Sequence, residues 1–139
     1  LLKNVAISFA ISLDTNEADI EFSSSISDSL GEFTGDKIKL QELVLNLLKN
    51  AEEAITEQGS IHLAASRSGD NITITCTDTG CGITPEQMEC IFQPFVTYKQ
   101  GGTGLGLAFS RKIAEAHEGT LTAVSTPQES TTFTVTLPV

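Results

Sequence analysis

The sequence has few aromatic residues and few cations, and the shortage of cations excludes two classes of partner. Only 6% of its 139 residues are aromatic and none is Trp, so aliphatic side chains must fill the core. Eight Lys and Arg stand against eighteen Asp and Glu, which gives a net charge of −10. Nucleic acids and anionic membrane surfaces are bound by clustered cations. Neither is therefore expected as a partner.

The cysteines are too few and too irregularly spaced for a disulfide framework or a zinc site. Cys76, Cys81 and Cys90 are odd in number and show no CxxC spacing, which favours a reducing compartment, the cytoplasm.

No stretch approaches the ~20 apolar residues that a transmembrane helix needs. The chain begins at Leu1 rather than Met, and we expect residues 1–139 to form one domain of a longer protein.

Sequence periodicity predicts an α+β fold with one long helix early in the chain. Apolar residues recur at helical spacing from an N-cap at Asp36 to about Gln58. Further helices are predicted by a capping box at Thr84–Gln87 and after a glycine-rich loop, to about His117. Strands are predicted at 6–13, 18–23, 61–66, 72–78, 120–125 and 132–137, with a loop at 23–29. Because regular βαβ alternation is absent, we predict a two-layer α/β sandwich with a mixed, mostly antiparallel sheet covered on one face by about three helices.

Three polar residues recur every four positions along the long helix: Glu42, Asn46 and Asn50. At about 100° per residue, the two Asn side chains lie within about 40° of each other, beside the apolar stripe. Amides at the rim of a core need partners, and Mg²⁺ held by phosphates prefers oxygen ligands. The alternative is that two surface amides happen to share one helix face. The helix alone does not decide between a metal site and this alternative.

Asp78 ends a predicted strand whose alternate residues face the core, and period 2 directs its side chain inward as well. An inward carboxylate needs a hydrogen-bond donor, and the exocyclic amine of adenine is one. The glycines that follow, Gly80 and Gly82, would let the backbone approach a ligand closely. The alternative is an ordinary Asx turn, which explains the glycines but not the inward direction.

A loop with four glycines, Gly101–Gly106, precedes the late helix. Free N–H groups at a helix N-terminus bind anions, and Lys99 lies just upstream, where it can reach a terminal phosphate. The spacing matches neither a Walker A loop nor a dinucleotide-binding fingerprint, and a simple loop with a helix cap is the alternative. Between the glycine sites, the Phe-Gln-Pro-Phe segment at 92–95 is either a small core cluster or the base of a mobile lid.

The order of these segments resembles the catalytic domain of sensor histidine kinases. Residues 46–51, NLLKNA, are similar to the family's N box, and 78–83, DTGCGI, to its first glycine box. Residues 91–95, IFQPF, resemble the F box, and 102–107, GTGLGL, the second glycine box. The resemblance covers essentially the whole chain and implies the Bergerat fold, with ATP bound between the helices and the sheet under a lid.

The resemblance also implies a role for each matching residue. Asn50 would bind Mg²⁺, with Asn46 assisting near the phosphates as a catalytic residue. The short lid resembles that of the nitrogen-regulation type, which places Lys99 as a catalytic and phosphate-binding residue. Glu53 stands where many other sensor kinases carry a basic residue, so phosphate contact from that position is not expected. The other implied nucleotide-binding residues are Asp78, Gly80, Gly82, Ile83, Phe95, Gly102, Thr103, Gly104, Leu105, Gly106, Leu107 and Thr131.

The implied reaction transfers the γ-phosphoryl group of ATP·Mg to a histidine on another domain. The two histidines present, His62 and His117, lack the helical-hairpin context of a phosphoacceptor. The implied partners are ATP, the dimerisation and histidine-phosphotransfer domain of a parent kinase and, indirectly, a response regulator. We expect the isolated domain to be monomeric and cytoplasmic and the parent kinase to be a homodimer, whether or not the parent is anchored in a membrane.

Three alternative functions remain open. A serine kinase of the anti-sigma-factor type has similar length and the same fold, although the GTGLGL and NLLKNA segments favour the histidine kinase. A gyrase-like ATPase would carry a general-base Glu four residues before Asn50, where this chain has Asn46. A degenerate module that binds partners but no nucleotide would have no need of Asn50, Asp78 and the glycines.

Overall fold

A computed structural model describes residues 2–13, 19–28, 30–31, 35–94 and 106–139. Within these residues four helices and five strands form two layers. The helices are α1 (Leu2–Leu13), α2 (Lys37–Ala54), α3 (Pro85–Met88) and α4 (Gly106–Ala116). The strands are β1 (Asp19–Ile26), β2 (Gln58–Ser68), β3 (Asn71–Asp78), β4 (Thr120–Thr126) and β5 (Ser130–Pro138). Of the helices within the described residues, none has the length and apolar composition needed to cross a bilayer.

The strands form one sheet in the order β1-β2-β3-β5-β4. The β1–β2 pair is parallel and the three other pairs are antiparallel, which confirms the predicted mixed, mostly antiparallel sheet. β3 lies at the centre, so its last residue, Asp78, has a neighbouring strand on each side. Its partners in register are Ile61 of β2 and Thr131 of β5.

The two faces of the sheet differ in chemistry because side chains alternate along each strand. The inward residues of β3 and β5 are buried, and all of them except Asp78 and Thr131 are apolar. The apolar ones are Ile72, Ile74, Cys76, Phe133, Val135 and Leu137. The outward positions of the same strands carry threonines that face each other in register: Thr73 with Thr136, Thr75 with Thr134, and Thr77 with Thr132. Threonine is β-branched and polar, which suits a pleated surface open to solvent. The helices of the described residues therefore cover the face that carries the buried apolar side chains.

The long helix α2 forms as predicted from its N-cap but ends earlier. The Asp36 side chain accepts a hydrogen bond from the Lys39 N–H at 3.1 Å, which confirms the cap. The predicted end at about Gln58 is wrong, because the helix stops at Ala54. Ile55 is extended and buried, so the chain turns there, and Gln58 and Gly59 pair with β1 instead.

The prediction of a strand at 6–13 is wrong, since Leu2–Leu13 is the helix α1. Its buried residues, Val5, Ala6, Phe9 and Leu13, follow helical spacing and join the core. The sequence pattern was obscured by two exposed apolar residues on the other side of the helix, Ile7 at 60% and Ile11 at 65% exposure.

The predicted loop at 23–29 is wrong in its first half, because β1 runs on to Ile26. Its serines pair in register with β2, Ser23 with His62 and Ser25 with Ala64. A serine-rich segment lacks the apolar alternation of a typical strand. Here it is held by backbone pairing at the edge of the sheet.

Candidate functional site

The Asp78 carboxylate lies at the end of the central strand and is almost completely buried, at 1% exposure. This confirms the predicted inward direction. One of its oxygens accepts a hydrogen bond from the Gly80 N–H at 2.9 Å, so the Asx turn is present together with the inward orientation. An ionised carboxylate offers about four acceptor sites. A carboxylate in this position can receive donors both from its own loop and from a ligand.

The thiol of Cys76 lies two residues before Asp78 on the same inward face. Burial raises its pKa to about 12, and the negative charge of Asp78 adds to the shift. The Cys76 S–H contacts the Leu47 carbonyl oxygen of α2 at 3.7 Å. A thiol with so high a pKa stays protonated and unreactive at neutral pH. Cys76 is therefore an uncharged neighbour of Asp78 in the core.

The close packing of the protein around positions 80 and 82 leaves no room for a side chain, so both positions require glycine. A Cβ on Gly80 would lie 2.5 Å from the Ala54 carbonyl oxygen, which accepts the Cys81 N–H at 3.0 Å. Gly82 has a φ of +72°, and its Cβ would lie 2.5 Å from the Thr126 carbonyl oxygen. The loop after Asp78 is thus held between the end of α2 and the β4–β5 turn. Direct contact of these glycines with a ligand stays a prediction.

A hydroxyl network lies beside Asp78 on β4 and β5. Ser125 Oγ accepts the Ile83 N–H at 2.7 Å and donates to the Ser130 carbonyl at 2.8 Å. Thr131 Oγ1 lies 2.9 Å from Ser125 Oγ, and because the single Ser125 hydrogen is used at Ser130, Thr131 is the donor in this pair. The oxygen of Thr131, the register neighbour of Asp78, keeps its acceptor capacity.

Asn46 and Asn50 are both half-buried on α2. The Asn46 amide nitrogen lies 3.4 Å from Ser110 Oγ of α4, and Ser110 Oγ donates to the Gly106 carbonyl at 2.8 Å. The structure therefore brings the predicted metal-binding helix against the first turn of the helix that follows the glycine-rich loop. The sequence predicted a metal-binding helix and a phosphate-binding loop separately. The contact between α2 and α4 supports a single site formed by both.

Two residues of this region, Ser110 and Ser125, were not among the predicted site residues. The sequence did carry a signal for each. Ser110 stands on the buried stripe of α4 with Ile113 and Ala114, and Ser125 shares the inward side of β4 with Leu121. A serine at an otherwise apolar position indicates a buried hydroxyl, but its partners depend on contacts between distant elements.

Six predicted site residues lie outside the described residues: Phe95, Lys99, Gly102, Thr103, Gly104 and Leu105. Gly106 and Leu107 begin α4, where Gly106 is exposed and Leu107 packs against the core. Phe92 packs edge-on against Phe133, with ring centres 6.4 Å apart, and the guanidinium carbon of Arg111 lies 5.1 Å from the centre of the Phe92 ring. Phe92 is thus part of a core cluster, one of the two interpretations of its segment.

The sequence family described as histidine kinase-, DNA gyrase B- and HSP90-like ATPases matches residues 35–139. This chain belongs to that family. Sensor histidine kinase ZraS of Escherichia coli (strain K12) is 41% identical over 129 residues, which is 93% of this chain and 28% of the kinase. The chain therefore spans little more than a quarter of the length of that relative.

Solved structures of the family share the fold. The catalytic domain of histidine kinase ThkA superposes with a TM-score of 0.85 at 28% identity, covering 98% of this chain and 88% of that one. Full-length ShkA in complex with AMPPNP gives a TM-score of 0.84 at 27% identity, covering 99% of this chain and 30% of that one. The two-layer architecture described above is thus that of histidine-kinase catalytic domains.

The packing of Gly80 predicts that Gly80→Ala destabilises the domain, because the new methyl group would displace the end of α2. We expect a loss of about 1–3 kcal/mol in the free energy of unfolding, as for other overpacked sites, measured by urea denaturation. Gly106→Ala is the matched control, since a Cβ there would have no atom of the described residues within 4 Å. Equal stability of Gly80→Ala and Gly106→Ala would contradict this account of the loop.

Proposed function

We propose that this domain binds ATP·Mg and transfers the γ-phosphoryl group to a histidine on the dimerisation domain of a parent sensor kinase. The observation that carries the proposal is the buried Asp78 carboxylate, held at the end of the central strand by a loop of the family's first glycine box. Family membership supports nucleotide binding. The relatives named above are histidine kinases, and no observation favours the serine-kinase alternative.

The adenine end of the site would be formed by Asp78 and Thr131. The carboxylate accepts a hydrogen from the exocyclic amine, a charge-assisted bond that is stronger than one between neutral groups. The Thr131 hydroxyl oxygen, whose own hydrogen goes to Ser125, is an acceptor for the second amine hydrogen or for a bridging water. Gly80, Gly82 and Ile83 belong to the loop that shapes this end.

The phosphate end would be formed by α2 and the start of α4. Mg²⁺ takes few protein oxygens and keeps phosphates and waters as its other ligands, and the amides of Asn50 and Asn46 fit that donor set. When bound, the metal would neutralise phosphate charge and help to orient the γ-phosphate for in-line transfer. Lys99 and the glycines at 102–106 would complete the phosphate site, with Phe95, Thr103, Leu105 and Leu107 lining it.

The accepting histidine would come from outside this chain. His62 bonds Ser23 Oγ at 2.7 Å on the outward face of the sheet. His117 is held by the Ile113 carbonyl and the Asp36 N–H. The remaining partners we propose are a helical-hairpin dimerisation domain in a homodimeric parent and, through it, a response regulator. The catalytic domain itself would be a cytoplasmic monomer when isolated.

Calorimetric titration with a non-hydrolysable ATP analogue tests the nucleotide site. The wild-type domain should bind with micromolar affinity. Asp78→Asn should weaken binding about tenfold to a hundredfold, because a charged acceptor is replaced by an amide. Asn50→Ala should remove the dependence of affinity on Mg²⁺. Asp70→Asn, in the exposed β2–β3 turn, is the matched control and should bind as the wild type does.

Absence of binding by the folded wild-type domain would overturn the proposal and leave a scaffold without nucleotide. If Asp78→Asn leaves the affinity unchanged, the adenine base does not contact Asp78.

Phosphoryl transfer needs a separate test. This catalytic domain is mixed with the dimerisation domain of its parent kinase and with ATP labelled at the γ-phosphate. The dimerisation domain should then carry the label as an acid-labile phosphohistidine. Asn50→Ala should reduce the initial rate at least about a hundredfold, since metal-assisted orientation contributes several kcal/mol. Acid-stable label on serine would contradict histidine transfer and restore the serine-kinase alternative.

A further inference from the structure

Ser110 is a fully buried hydroxyl, at 0% exposure, between two segments of the proposed nucleotide site. It lies on α4, four residues after Gly106, and contacts the Asn46 side chain of α2. It is not among the residues that the family's sequence motifs assign to nucleotide or metal. The direction of its hydrogen bonds determines how the Asn46 amide is oriented.

The Ser110 hydroxyl has one hydrogen, and the Gly106 carbonyl oxygen at 2.8 Å is able only to accept it. Toward Asn46, the serine oxygen is therefore an acceptor. A hydrogen bond across that 3.4 Å contact requires the amide NH₂ group as its donor. The nitrogen of the Asn46 amide then points at α4, and its carbonyl oxygen, on the other branch of the planar amide, points away from Ser110.

We propose that Ser110 is a positioning residue that fixes the Asn46 amide with its oxygen toward the bound ligand. An amide oxygen is a ligand for Mg²⁺ or an acceptor for metal-bound water, whereas the NH₂ group would donate to phosphate oxygens. Ser110 thus makes Asn46 an acceptor on the metal side of the site. This inference rests on the proposed function for its ligand, but the amide orientation itself is a property of the free domain.

A purely structural role for Ser110 is the competing account. Serine often bonds the carbonyl four residues earlier in a helix, and the Ser110–Gly106 bond alone would serve only the first turn of α4. Such a role acts whether or not residue 46 is Asn. A positioning role acts only through the Asn46 amide, so the two accounts differ in a double-mutant cycle.

The cycle compares the wild type with Ser110→Ala, Asn46→Ala and the double variant. Affinity for a non-hydrolysable ATP analogue is measured with and without Mg²⁺. Ser110→Ala should weaken binding in Mg²⁺ about threefold to tenfold, the effect of one neutral hydrogen bond, and leave metal-free binding unchanged. With Ala at position 46, removing the Ser110 hydroxyl should have no further effect.

An equal effect of Ser110→Ala in both backgrounds would overturn the proposal in favour of the structural role. No effect in either background would overturn it too. Ser110→Thr keeps the hydroxyl and serves as the rescue variant, which should restore most of the affinity lost in Ser110→Ala. If Ser110→Ala does not fold, Ser110→Cys, of similar size and with a weaker donor and acceptor, takes its place.

A second readout needs no ligand. In the NMR spectrum of the free domain, one Asn46 side-chain N–H should exchange slowly with solvent in the wild type and at least about threefold faster in Ser110→Ala. The exposed Asn71 side chain is the internal reference. Unchanged Asn46 exchange would overturn the proposal, whereas changed exchange in a domain that binds no nucleotide would uphold the amide orientation and overturn only the proposed function.

Discussion

The burial of one carboxylate, Asp78, is the constraint on which the site depends. An unpaired buried charge costs several kcal/mol, so a fold that places Asp78 in its interior must supply donors there. The central strand provides the depth, the Gly80 N–H provides one donor, and a neighbouring hydroxyl network orders the β5 side. A ligand with an amine at this point adds another donor. The proposed recognition of adenine would therefore supply one more hydrogen-bond donor to a carboxylate that the fold already has to satisfy.

The helix α2 connects that carboxylate to the proposed phosphate end of the site. Its buried residues, among them Leu47 and Leu48, fix the rotation of the helix about its axis, and that rotation sets where Asn46 and Asn50 lie. Its last carbonyl, at Ala54, receives the loop after Asp78. A change in core packing of α2 would therefore move both ends of the site together. Core and site are parts of one packing arrangement.

Much of this was predictable from sequence, for physical reasons that can be named. Helical and two-residue periodicities located α2 and directed the Asp78 side chain inward, because those periods follow from backbone geometry. The periodicity failed at α1, whose exposed Ile7 and Ile11 hide its buried stripe. The partners of Ser110 and Ser125 and the packing need for Gly80 arise from contacts between distant segments. Local patterns carry no information about those contacts.

The most direct test of the central claim is a comparison of ADP with inosine diphosphate, in which a carbonyl replaces the exocyclic amine of the base. A buried carboxylate that reads this amine should reject the carbonyl, because two acceptors would then face each other without water. We predict that inosine diphosphate binds at least about a hundredfold more weakly than ADP. Equal affinities in the same titration would show that Asp78 does not read the base, and would contradict this account of the site.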